Sequence, residues 1–145
     1  MVENNNLLTR LKKHTIFLKN EIKDFQFYSC LEYSEYLKNR RIRREFERWI
    51  ENILISIVDI SKIILNLEES DIPDTYRKIV ENCEPFLGSI VKEVSKHIHL
   101  RNIIVHEYLD IKWTKIKNFL KDFDKIKIFV EKVEEYLKNK KEEGK

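Results

Sequence analysis

Only two glycines and two prolines punctuate 145 residues. These are the residues that most often turn or break a chain, so their scarcity favours long helices over a many-turned β architecture. Hydrophobic residues make up 42% of the chain, enough for a sizeable core. Charged residues make up 37%, high for an ordinary globular domain. The length suits one domain. Strand signals are nearly absent. Ile103-Ile104-Val105 has β propensity, but its surroundings read as helix.

Apolar periodicity marks out the helices. Leu7, Leu11, Ile16, Leu18, Ile22 and Phe25 recur mostly every three or four residues, which predicts a first helix from about Asn6 to Tyr28 with Asn5 or Asn6 as N-cap. Leu31 to Lys38 reads as a further turn or two. Ile42, Phe46, Trp49, Ile50, Ile53, Leu54, Ile57, Ile60 and Ile64 form a wide stripe on a central helix. Glu68 to Asp74 breaks the pattern, and Asp74 is expected to cap the next helix. Pro85 marks another boundary. A last helix is expected after Asp110, burying Trp113, Phe119, Phe123, either Ile128 or Phe129, and Leu137. The expectation is an all-α, up-and-down bundle of four to six helices. Its core spans 7–137, and the charged tail at 138–145 frays.

The net charge of +3 permits nucleic-acid binding without demanding it. Cys30 and Cys83 are too far apart for metal-ligand spacing and read as two buried thiols. No carboxylate–histidine cluster suggests a metal site, and no cofactor is expected. Charges interrupt each hydrophobic run short of a membrane span, so a cytoplasmic protein is expected.

The chemistry concentrates in Arg101-Asn102-Ile103-Ile104-Val105-His106-Glu107-Tyr108. A guanidinium can hold a phosphate and an imidazole can move a proton near neutral pH, as metal-free RNA cleavage requires. On a helix Asn102 and His106 share a face, whereas Arg101 and His106 diverge by about 140°. Three arrangements would reconcile them: a bent helix, a long arginine reaching round, or a second copy completing the site across a two-fold axis. The plainer alternative is a surface arginine and a histidine at a helix C-terminus.

The spacing Arg101-x4-His106-x-Tyr108, with Asn102 after the arginine, resembles the signature of HEPN-domain ribonucleases. The His-x-Tyr ending resembles the HepT toxin subgroup. Asp59-Ile60 on the long helix, Pro73-Asp74-Thr75-Tyr76-Arg77, and Asp110-Ile111 opening the last helix follow that subgroup's layout, over roughly Leu7 to Leu137. Leu100 departs from it where an aromatic is common.

The resemblance implies an all-helical homodimer, the toxin of a type VII-like toxin–antitoxin pair. It would cleave RNA to a 2′,3′-cyclic phosphate and a 5′-hydroxyl. Arg101 and His106 would be catalytic with support from Asn102. Tyr108 would receive AMP from an MntA-like nucleotidyltransferase antitoxin, and higher assembly with that partner is open. Asp59 is either exposed or turned inward to hold Arg101 or His106.

Arg41, Arg44 and Arg48 share a helical face that suits an RNA-phosphate track, pairing with nearby glutamates, or an acidic partner. His97 or His99 could assist binding, and His14 has no assigned role. Tyr33 and Tyr36 read as packing aromatics. Two other readings stand beside the ribonuclease: a non-catalytic helical partner of a nucleotidyltransferase, and a plain assembly module.

Overall fold

The structure is a computed structural model and describes residues 2–143. It is all helical among those residues: α1 (Val2–Ile22), α2 (Phe25–Ser29), α3 (Tyr33–Lys38), α4 (Arg40–Leu67), α5 (Tyr76–Glu81), α6 (Glu84–Leu87), α7 (Ile90–Ser95), α8 (Leu100–His106), α9 (Leu109–Lys121) and α10 (Phe123–Glu143). No helix there is long and apolar enough to cross a membrane.

Helix α4 is the axis. Asn39 opens it by accepting a hydrogen bond from the Ile42 amide at 3.1 Å. Phe46, Ile50, Ile53, Ile57, Ile60 and Ile64 are buried along one face. Against it pack α1, α3, α5 and α8, while α10 packs on α1, α6 and α7. The far end closes with Glu69 at φ 55°, Ser70 N–H donating to Leu65 O and Glu69 N–H to Asn66 O. This is a Schellman closure, which usually takes glycine at the left-handed position.

An aromatic cluster joins the short helices to the long ones. Tyr28 stacks on Trp49 at 4.7 Å, Tyr36 lies 5.1 Å from Trp113, and Phe25 stacks on Phe123 at 4.3 Å. Trp49 Nε1 donates to Glu21 O at 2.6 Å, tying the end of α1 to α4.

Several sequence expectations need correction. The first predicted helix is two, broken at Lys23–Asp24, and Asn5 and Asn6 lie inside α1 rather than capping it. Thr75, not Asp74, caps α5, its side chain accepting from the Lys78 amide at 3.3 Å. The last predicted helix starts at Leu109 and is divided at Asp122. Beyond Lys138 the chain is still helical: α10 runs to Glu143, and Lys140 pairs with Glu68 at 2.7 Å. Gly144 and Lys145 lie outside the described residues.

Cys83 is buried as expected, but Cys30 is exposed. Ile16 is exposed and Trp113 and Leu137 are only half-buried. Phe129 is buried, whereas Ile128 is exposed.

Candidate active site

Helix α8 carries the motif because one of its edges is anchored. Leu100 and Ile104 are buried and Ile103 is half-buried, so α8 seats on α4 and α9. The turn before it is fixed as well. His97 Nε2 lies 2.9 Å from Asp122 Oδ2, and the His97 ring meets Phe119 edge-on at 5.6 Å.

The opposite face of α8 is open. Arg101 is half-buried, and Asn102, Val105 and His106 are exposed. The helix runs unbroken from Leu100 through His106, which removes a bend as the way of bringing Arg101 and His106 together. Those two residues mark the edges of the exposed face, about 140° apart, with Val105 and Asn102 between them.

Arg101 and Asn102 line a cleft of about 370 Å³ with His99 and with Asp74, Tyr76 and Arg77 from the start of α5. Arg77 is engaged by Glu81 at 2.9 Å. Arg101 has no ion pair among the described residues, so its guanidinium is available to a phosphate. His106 does not line this cleft and sits in the last turn of α8.

Two residues link α8 to α9. Glu107 is extended, at φ −97° and ψ 167°, and its amide closes α8 on Ile103 O at 2.9 Å. Tyr108 is the N-cap residue of α9, and its carbonyl accepts from the Lys112 amide at 3.0 Å. Its side chain is 81% exposed.

The supporting candidates lie elsewhere. Asp59 is half-buried in a separate cleft between α1 and α4, and it bonds to neither Arg101 nor His106 within the protomer. Arg41, Arg44 and Arg48 are exposed on the first half of α4, and Arg41 reaches Glu45 at 3.4 Å. None of the three lines the Arg101 cleft. His97 is a packing residue and His99 lines the cleft. Asp74, Tyr76 and Arg77 fall in the Pro73–Arg77 stretch that follows the resembled layout, but that layout gave them no role in a cleft. Cys83 is a core group: burial pushes its thiol up to about 12, with only a smaller opposing effect from the Ser61 side chain.

Among the described residues no three His, Cys, Asp or Glu side chains group as a metal site would require. The described residues form an all-helical bundle in which one short helix carries arginine, amide and histidine and is followed by an exposed tyrosine. A family model described as "Ribonuclease HepT-like" matches residues 18–133, and the chain belongs to that family. Membership implies ribonuclease activity. No curated relative and no solved structure matches the chain.

Proposed function

We propose that this chain is the toxin of a type VII-like toxin–antitoxin pair, a cytoplasmic, metal-independent endoribonuclease. The observation that carries the reading is the outward face of α8, where Arg101, Asn102 and His106 stand clear of the core. His106 takes the proton from a ribose 2′-hydroxyl as the 2′-oxygen bonds to phosphorus. The bond to the 5′-oxygen breaks, and that oxygen takes a proton from the protonated His106 or from water. The products are a 2′,3′-cyclic phosphate and a 5′-hydroxyl. Arg101 holds the charge that builds on the phosphoryl oxygens, and Asn102 binds the ribose or orients the imidazole.

The working unit is a homodimer. Val105, in the middle of the face, is 61% exposed, and Ile111 beyond Tyr108 is 40% exposed. A second copy would cover this apolar surface and bring one motif's arginine toward the other's histidine. Control is by an MntA-like nucleotidyltransferase that adenylylates Tyr108. An added phosphate beside His106 and Arg101 would occupy the arginine and repel RNA.

The test is cleavage of a mixed tRNA and mRNA pool in EDTA by unmodified protein, beside His106→Ala. Cyclic-phosphate ends from the parent alone support the reading. The exposure of Tyr108 also suits a non-catalytic, AMP-receiving partner of a nucleotidyltransferase. That reading takes over if protein with a free Tyr108 leaves all RNA intact.

A further inference from the structure

The cleft between α1 and α4 has no part in the chemistry described above. It encloses about 410 Å³, and its lining includes Arg10, Lys13, His14, Phe17, Asn52 and Asp59. Arg10, Lys13 and Asp59 form no ion pair among the described residues. Phe17 stands at the rim, 43% exposed, and His14 and Asp59 are half-buried. A pair of uncommitted cations, an open aromatic ring and polar groups in one concavity can hold a phosphate, stack a base and hydrogen-bond its edge.

The position of the cleft joins it to the motif. Arg41, Arg44, Arg48, Asn52, Ile55, Asp59 and Lys62 fall within one narrow stripe of α4, opposite its buried face, and all are exposed or half-buried. The stripe runs about 30 Å along the helix. It passes the α1 cleft at Asn52 to Asp59. It ends at Lys62, whose Nζ lies 5.2 Å from the centre of the Tyr76 ring, and Tyr76 lines the Arg101 cleft. Lys62, about one turn beyond Asp59 on α4, thus reaches from the end of the first cleft to a residue of the second.

We infer that the α1–α4 cleft is a subsite for one nucleotide of single-stranded RNA, away from the bond that is cut. Arg10 and Lys13 take the phosphate, Phe17 stacks the base, and Asp59 accepts from a base amino group. Arg44 and Arg48 extend the phosphate path along α4. The assignment rests on the ribonuclease reading for its substrate class, although the binding itself can be tested without cleavage.

The probe is a fluorescent 2′-O-methyl single strand of mixed sequence, which has no 2′-hydroxyl to react. Anisotropy titrations over a salt series give its affinity for the parent, Phe17→Ala, Arg10→Ala with Lys13→Ala, and Lys12→Ala with Lys138→Ala. The last pair removes equal charge from a different cleft, between α1 and α10. We expect Phe17→Ala to weaken binding about tenfold. The Arg10/Lys13 pair should flatten the slope of log affinity against log salt by about 1.4, and the control pair should not.

An unchanged affinity for Phe17→Ala, or equal effects of the two lysine-containing pairs, overturns the subsite. So does loss of binding that coincides with a change of oligomeric state in light scattering, since the cleft would then be a contact between copies. A parent that cleaves RNA but does not bind the strand through this cleft refutes the subsite alone. Binding through the cleft by a parent that cleaves nothing supports the subsite and refutes the ribonuclease.

Discussion

His97 Nε2 lies 2.9 Å from Asp122 Oδ2, so the turn leading into the motif helix is tied to the break between α9 and α10. His97 is 13% exposed and packs edge-on against Phe119. The pair sets where α8 begins. His97→Ala should lower unfolding free energy by about 1–2 kcal/mol in urea titration. RNA cleavage should fall only partly. Loss of cleavage as complete as in His106→Ala, in a protein of parental stability, would make His97 a catalytic residue and refute its packing role.

Exposure separates chemistry from stability at the motif. His106→Ala should leave the melting temperature unchanged and reduce cleavage at least a hundredfold, the lower range for a lost general acid–base group. Arg101→Lys should recover little activity, because an ammonium lacks the two-pronged geometry that suits a phosphate. Single-turnover cleavage of an oligonucleotide measures both.

Tyr108 is 81% exposed while its carbonyl accepts the first bond of α9, so its phenol can change without loss of the helix. Tyr108→Phe should fold and cleave like the parent, yet gain no AMP mass when incubated with the nucleotidyltransferase and ATP. An AMP adduct on the phenylalanine variant would place the modification elsewhere.

Burial alone would raise the Glu68 carboxyl, but hydrogen bonds from Lys140 and the Tyr136 hydroxyl outweigh it and hold Glu68 below the ordinary 4.5. A carboxylate depressed in the folded state contributes stability above its unfolded value. That contribution is lost as pH falls through the folded value. Glu68→Gln should therefore melt below the parent at neutral pH, and the two should converge well below pH 4.5. A constant gap at all pH values would show that the effect is not ionic.

Glu69 closes α4 in the left-handed region, at φ 55°. Glu69→Gly should raise unfolding free energy by roughly 0.5–1 kcal/mol, since glycine adopts that conformation without steric cost. A decrease in a denaturant titration would mean that the Glu69 side chain holds the closure.

What the sequence revealed follows from how each feature is encoded. The stripe of α4 was legible because six turns of isoleucine, phenylalanine and tryptophan keep one phase. The breaks at Lys23–Asp24 and Asp122 were not, because Ile22 and Phe25, and likewise Leu120 and Phe123, stay three residues apart and preserve that phase across the break. Asp74 and Thr75 are both capping types, and only backbone geometry chose the threonine. Arg101, Asn102, His106 and Tyr108 were visible as a motif. Their partition, with arginine and amide in a cleft and histidine and tyrosine outside it, depends on where α5 lies, and no spacing states that. Asp59 was legible as a carboxylate on α4 that could be exposed or turned toward Arg101 or His106, and packing placed it toward α1 instead.

Helix α8 touches the interior through Leu100, Ile104 and part of Ile103, and the residues on its outer face add nothing to the core. Inheritance can therefore edit the chemistry and the fold separately. If the chain is the toxin proposed above, then in a population forced to escape it, inactivating changes at Arg101 or His106 would leave an abundant, folded protein that still competes for every partner. Survivors of that kind would be harmless carriers that titrate the antitoxin, and not simple losses of the gene product.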